Sequence, residues 1–243
     1  MAKNIFITGV SSGIGHGLAA EYLQRGHVVY GVSRREPHDL KALKNFHFAE
    51  LDLTDYEKQP AICETLLQNA AELDLVVLNA GILSPIRDMV ETPLADLREA
   101  IEINVWANKV LLDWLITSGK TIHQVVGISS GAAVNGHRGW NGYSLSKAAL
   151  NMLIQLYAAE QPHIHFTALA PGLIDTDMQA YMSGLPHDER FPSVNFLREA
   201  RGTDAMPSPE QAAPMLIKAF EVVKQEKSGN FFDIRELQNT GKL

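Results

Sequence analysis

A glycine-rich turn, Thr8-Gly9-Val10-Ser11-Ser12-Gly13-Ile14-Gly15, stands between the first strand-like run, Asn4 to Thr8, and a helical pattern from Gly13 to Arg25. Glycines at such a junction permit a tight reversal and leave the backbone open to close approach. The first amides of a helix have no intrahelical partner and favour negative charge, so strand, turn and helix together make a cradle for a pyrophosphate. Gly9, Ser11, Ser12, Gly13, Ile14 and Gly15 are the residues of that cradle. The spacing is G-x-x-x-G-x-G. A second pattern, Gly15-His16-Gly17-Leu18-Ala19-Ala20, begins inside the helix and is a decoy.

Short β-rich apolar runs alternate with helical patterns along the rest of the chain, as in a parallel sheet covered on both faces. Strands are expected at Val28 to Val32, Phe46 to Glu50, Leu75 to Leu78, Val125 to Ile128, His163 to Leu169 and Asn230 to Ile234, and helices near 55–71, 93–117, 142–160 and 209–225. The expectation is one α/β domain over 1–243, a Rossmann-type doubly wound parallel sheet of about seven strands. A chain of 243 residues commonly forms one such domain. Its net charge of −7, with no Lys/Arg block, argues against a nucleic-acid partner. The single cysteine, Cys63, allows no intrachain disulfide and suits a reducing compartment. No uncharged apolar run approaches a bilayer's span, and no signal peptide is legible, so a cytoplasmic protein with no membrane partner is expected.

The main irregular stretch, about 177–209, carries Gly184, Pro186, Pro192, Gly202, Pro207 and Pro209. Its apolar residues Met178, Met182, Leu185, Phe191, Phe196 and Leu197 favour a lid over a disordered loop. Two helical segments are apolar on more than one side: Trp106, Val110 and Trp114 in one, Leu145, Ala149, Met152 and Leu156 in the other. Self-association, as a homodimer or homotetramer, and burial within the monomer both account for this.

The second strand ends in Val32-Ser33-Arg34-Arg35, where an acidic residue would hold a ribose 2′-hydroxyl and an arginine accommodates a 2′-phosphate. Arg34 and Ser33 therefore point to NADP(H); Glu36 lies beyond both arginines. Asp52 and Leu53 follow the third strand, where an adenine edge would lie, although a turn aspartate explains Asp52 equally well.

Tyr143 and Lys147 are four residues apart on a predicted helix, with Ser130 thirteen residues before the tyrosine. Positions i and i+4 share a helix face. An ammonium at roughly 4 Å, at an effective dielectric of about 20, contributes about 4 kcal/mol, enough to lower a phenol pKa by roughly three units. Such a phenol serves as a general acid near neutrality. The nine histidines show no metal-ligand pattern, and no metal is expected.

Gly9/Gly13/Gly15, Asn79-Ala80-Gly81, Asn104, Ser130, Tyr143/Lys147 and Pro171-Gly172 occur in this order. As a set they resemble the short-chain dehydrogenase/reductase family over essentially the whole chain. The resemblance implies an oxidoreductase in which Tyr143 gives a proton to a carbonyl oxygen. Lys147 lowers the phenol pKa and holds the nicotinamide ribose, Ser130 orients the carbonyl, and Asn104 holds a water in a proton relay. It places Asn79, Ala80 and Gly81 beside the cofactor, with Pro171, Gly172, Ile174 and Thr176 receiving the nicotinamide carboxamide. Asn104 also reads as a plain helix interruption.

More narrowly, Ser129-Ser130, Gly139-Trp140, Lys147-Ala148, Asp175-Thr176-Asp177-Met178-Gln179 and Ser228-Gly229 with Asp233 are similar to sepiapterin reductases and to bacterial benzil reductases. That implies an NADPH-dependent reductase of a small carbonyl substrate, best a vicinal dicarbonyl. A 3-oxoacyl or alcohol-type oxidoreductase and a non-catalytic NADP(H)-binding module are the alternatives. Trp140, Met178 and Met182 would line an apolar substrate pocket. Asp233 would anchor a ring, cap the last strand or pair with Arg235.

Overall fold

The computed structural model describes residues 2–243. Seven parallel strands form the sheet: β1 (Asn4–Thr8), β2 (Val28–Ser33), β3 (Phe46–Glu50), β4 (Leu75–Leu78), β5 (Gln124–Ile128), β6 (His165–Ala170) and β7 (Phe231–Asp233). Their spatial order is β3-β2-β1-β4-β5-β6-β7, each pair in parallel register. The central strands β4 and β5 are buried at every position, as continuous apolar runs under helices on both faces require. The outermost β3 is only partly covered. A separate two-strand ribbon pairs Glu72–Leu73 with Thr121–Ile122.

One face carries α1 (Gly13–Gln24), α9 (Pro209–Val223) and α10 (Ile234–Asn239), packed through Leu18, Leu216 and Phe220. Gly17, the decoy glycine, allows the close approach of α1 and α9: a Cβ there would lie 2.6 Å from the Pro209 carbonyl oxygen. The other face carries α3 (Gln59–Leu66), α5 (Ala107–Thr117) and α6 (Asn141–Glu160), packed through Leu67, Leu111 and Ile154. A one-turn α2 (His38–Lys41) follows β2.

Two expectations need correction. The segment 93–117 is α4 (Leu94–Ile101), a π-helical turn Glu102–Trp106 and α5 in unbroken succession. The stretch 177–209 is not irregular but forms two helices, α7 (Asp177–Gly184) and α8 (Pro192–Ala200). Pro192 begins α8, because a first-turn proline loses no helical hydrogen bond. The pair carries its own apolar cluster, Met182, Phe191, Val194 and Leu197, against Trp140 and Tyr143.

The chain leaves β1 in one direction to β2 and returns on its other side to β4, so the connections diverge above the carboxyl ends of β1 and β4. Open sheets of this kind hold ligands in that crevice.

Candidate active site

The crevice is a cleft of about 620 Å³ lined by the turn after β1, the ends of β2 to β5, residues 99–103, α6 and the segment after β6. Gly9 takes φ +76° and Gly13 φ +59°, the left-handed region that glycine adopts without penalty. A Cβ on Gly15 would stand 2.3 Å from the Gly9 carbonyl oxygen. Asn79 staples the turn: its Nδ2 donates to the Thr8 carbonyl at 2.9 Å and the Gly9 carbonyl at 3.2 Å. The Thr8 hydroxyl accepts from the Asn79 and Ala80 amides at 2.9 and 3.0 Å. Ser12 sits at the N-cap of α1 without capping it, which leaves the first helical amides open to a ligand.

Ser11, Ser12, Gly13, Ile14, Ser33, Arg34, Asp52, Leu53, Asn79, Ala80, Gly81, Pro171 and Thr176 all line the cleft with Gly9. Arg34 is exposed at its edge. Glu36 is engaged by Lys41 at 2.9 Å. Asp52 accepts from the Thr54 amide at 3.0 Å and hydroxyl at 2.7 Å, and these bonds hold its carboxyl below the usual range. Asp52 is thus a turn aspartate and a wall residue at once.

Three expected cofactor residues do not reach the cleft wall. Gly15 lies beneath the turn, against Gly9; Ile174 turns into the core with Leu169 and Ile234; Gly172 packs toward Ile234 with φ +78°. Val32, Arg35, Leu51, Thr54, Ile82, Glu99, Glu102, Ile103, Ile128, Ser129 and Asp177 line it as well, although none was given a role in the site from sequence. Most adjoin residues that were, so the turns carrying them were legible although the side chains were not.

Tyr143 and Lys147 enter the cleft from the first turns of α6. Lys147 donates to the Ile128 carbonyl at 2.8 Å, bridging α6 to the end of β5, and its Nζ stands 5.7 Å from the Tyr143 ring centre. The expected acidification of the phenol is not what the structure gives. Burial pushes Tyr143 up, with the Ser130 hydroxyl pulling the other way, while burial brings Lys147 down to about 8. Desolvation outweighs the attraction because both groups are removed from water. Ser130, two residues beyond β5, caps a short 3-10 turn (Gly131–Ala133) in extended conformation, and its hydroxyl accepts from the Ala132 amide at 3.1 Å. Its neighbour Ser129 donates to Asn151 instead, at 2.5 Å.

Asn104 is fully buried inside the π turn, so helix interruption and site geometry coincide. Its Oδ1 accepts from the Ile82 amide at 2.8 Å, and its Nδ2 donates to the Ile82 carbonyl at 3.0 Å and to Ser146 Oγ at 2.8 Å. A Cβ on Gly81 would lie 2.9 Å from Asn104 Oδ1 and 3.5 Å from Lys147 Nζ, which packs these three residues together.

Of the expected substrate residues, Met178 lines the cleft. Trp140 lies tilted 5.9 Å from Tyr143 and donates to Ser193 Oγ on α8 at 2.7 Å. Met182 is buried within the α7–α8 cluster instead of facing the cleft. Asp233 caps α10, accepting from the Arg235 amide at 2.9 Å, and Arg235 engages both its carboxylate oxygens. Among the described residues no group of three or more His, Cys, Asp or Glu is placed to hold a metal ion, and no helix is long and apolar enough to cross a membrane.

A family model for short chain dehydrogenase matches residues 3–184. The chain belongs to that family, and it is an oxidoreductase of it. It is 32% identical over 245 residues to a benzil reductase ((S)-benzoin forming) of Bacillus subtilis, covering 95% of this chain and 97% of the relative. It is 33% identical over 196 residues to the benzil reductase ((S)-benzoin forming) IRC24 of Saccharomyces cerevisiae, covering 74% of each. Among solved structures, the YIR035C short-chain dehydrogenase/reductase of Saccharomyces cerevisiae superposes with TM-score 0.83 at 24% identity over 96% of both chains. ElxO with NADP bound does so with TM-score 0.79 at 24% identity, covering 96% of this chain and 97% of that one.

Proposed function

We propose that the protein is an NADPH-dependent carbonyl reductase acting on a small ketone, best a vicinal dicarbonyl of the benzil type. The carrying observation is that Tyr143 and Lys147 line the same cleft as the glycine turn, with the Ser130 hydroxyl hydrogen-bonded to the phenol and Asn104 packed behind the wall against Gly81 and Lys147. The residues suit a phosphorylated dinucleotide: a bare turn, an uncapped helix N-terminus and Arg34 at the edge of β2. ElxO, of the same fold, holds NADP.

A nicotinamide held by the glycine turn, Lys147 and Thr176 would supply the hydride. Ser130 and Tyr143 receive the substrate's carbonyl oxygen from one side, and Tyr143 gives it a proton as it becomes an alcohol. Lys147, anchored on Ile128, holds a cation beside the phenol and so favours the phenolate left behind. Met178 on the cleft wall, backed by Trp140 and the apolar α7–α8 cluster, suits an aryl group. Asp233, saturated by Arg235, supports a ring contact less well than Trp140 does.

Exposed Trp106, Leu145, Met152 and Leu156 on α6 and the turn before α5 support a homodimer or homotetramer built on those helices. Following NADPH oxidation with benzil, sepiapterin, diacetyl and a 3-oxoacyl thioester tests the substrate class. Benzil or diacetyl should turn over fastest. A preference for the thioester would replace the dicarbonyl reading with the 3-oxoacyl one.

A further inference from the structure

One part of the cleft wall is assembled from two stretches far apart in sequence, 51–54 after β3 and 99–103 at the end of α4. Two side chains from the entrance of α3 reach from beside the first stretch to the second and to the helix that follows it. Tyr56 donates its hydroxyl to the Glu102 carboxylate. Burial, and then that carboxylate, push the phenol up, so it stays protonated and keeps donating. Gln59 is fully buried, and its Nε2 donates to the Leu53 carbonyl at 3.0 Å and to the Ala107 carbonyl at 3.4 Å.

Glu102 opens the π turn, Ala107 follows it, and Asn104 lies between them. A wide turn holds one residue more than the α-helical turns around it, and nothing intrinsic to the helix fixes where that extra residue sits. A shift of the wide turn by one residue would rotate Asn104 by about 100° around the helix axis, away from Ile82 and Ser146. External partners decide the register. On one side these are Ile82 and Ser146, held by Asn104 itself; on the other they are Tyr56 and Gln59. Gln59 Oε1 has no partner, a burden that an apolar side chain of the same length would not carry. An amide there serves geometry more than stability.

We propose that Tyr56 and Gln59 are positioning residues, which pin the π turn at Glu102–Trp106 so that Asn104 faces the Lys147 end of the cleft, and which tie that position to the 51–54 loop. The inference rests on the reductase reading above for its kinetic consequence only. Cofactor contact at the loop and alignment of Asn104 then become one event, because Gln59 bonds the loop at Leu53 and the helix at Ala107 while Tyr56, two residues beyond the loop, holds Glu102.

The test uses Tyr56→Phe, Gln59→Met and Asn104→Ala, singly and with the tyrosine and asparagine changes combined. In Tyr56→Phe the amides of 102–108 should exchange with solvent about three- to ten-fold faster, the effect of one lost hydrogen bond, while those of β1 and β6 keep their rates. Its NADPH dissociation constant, read from cofactor fluorescence, should rise and its kcat fall by a similar factor. In the Asn104→Ala background the tyrosine change should cost no further kcat. Unchanged exchange of 102–108 in both Tyr56→Phe and Gln59→Met would overturn the proposal, as would a full additional kcat loss in the double variant. If Tyr56→Phe does not fold, Gln59→Met decides by the same exchange measurement. A wild-type chain that reduces no carbonyl removes the reductase reading, whereas exchange and NADPH binding still decide whether the two side chains pin the turn.

Discussion

Burial brings the Lys147 ammonium from an ordinary 10.5 down to about 8. The unfolded chain keeps that proton up to about pH 10.5, while the folded chain loses it near 8. Below pH 8 both states are protonated and the fold bears the whole desolvation cost; between 8 and 10.5 the cost is relieved as pH rises. At about 1.36 kcal/mol per unit the cost is roughly 3 kcal/mol, offset in part by about 1 kcal/mol from the bond to Ile128. Lys147→Met is therefore expected to raise Tm at pH 7 by roughly 5 °C while abolishing reduction, the Tm gain shrinking toward pH 10. Thermal unfolding at both pH values checks it, and a lower Tm at pH 7 would show that the lysine stabilises the fold. Tyr143→Phe separates chemistry from binding: kcat should fall by about 10²- to 10⁴-fold with NADPH affinity nearly unchanged, since only the proton donor is lost. Arg34→Ala should do the reverse, weakening NADPH by about ten- to a hundred-fold and NADH little. Titrating both nucleotides by fluorescence decides, and equal losses would end the case for a 2′-phosphate contact at Arg34.

Elements were legible in the sequence where local pattern and final environment agree. β1, β3 and β4 have the bounds their apolar runs suggest: β1 and β4 lie under cover on both faces, where apolar residues must run on without a break, and β3 is a short β-rich run at the partly covered sheet edge. The π turn was invisible, since no residue type marks one extra residue in a helix whose apolar positions already lie on more than one side; Asn104, a buried amide between Ile103 and Val105, marked the place. Helices α7 and α8 were hidden by Gly184, Pro186 and Pro192, which read as a loop although Pro192 starts a helix. The fate of Asp233 depended on Arg235, and a pattern cannot choose between a cap, an ion pair and a ligand contact. The α7–α8 pair also rests on a testable contact. Gly139 holds φ +94°, and a Cβ there would meet the Phe191 ring at 2.7 Å. Gly139→Ala should strain this turn and push α8 off Trp140, raising KM for the ketone several-fold with little change in NADPH affinity. Steady-state kinetics in both substrates distinguish this from a general loss of fold, which would move both constants together.

At the scale of the whole molecule, α6 joins the active site to the outer surface. One face buries Tyr143, Lys147, Leu150, Ile154 and Tyr157 against the cleft and sheet. The other leaves Leu145, Met152 and Leu156 about half exposed, at 48%, 53% and 52%, beside the 48%-exposed Trp106 before α5. Spacings of seven and four residues place the three α6 side chains in one stripe, the arrangement that packs against another helix. A monomer would hold this stripe in water, next to the helix whose first turns present the proton donor. Pairing two chains through it would bury the stripe and stiffen α6 from outside. Met152→Glu puts a charge at the centre of the stripe without touching the cleft, so it should dissociate the assembly while leaving the circular dichroism spectrum of the folded chain intact. Light scattering across a dilution series reads the mass directly, and the wild type alone should show a Tm that rises with protein concentration. A wild type that is monomeric at every concentration, or a Met152→Glu protein of unchanged mass, would leave the stripe as surface and place any assembly elsewhere. If the assembly does dissociate, kcat of the separated chains tells whether α6 needs its partner to hold Tyr143 in place. A fall in kcat at unchanged NADPH affinity would locate that need at the proton donor and not at the cofactor.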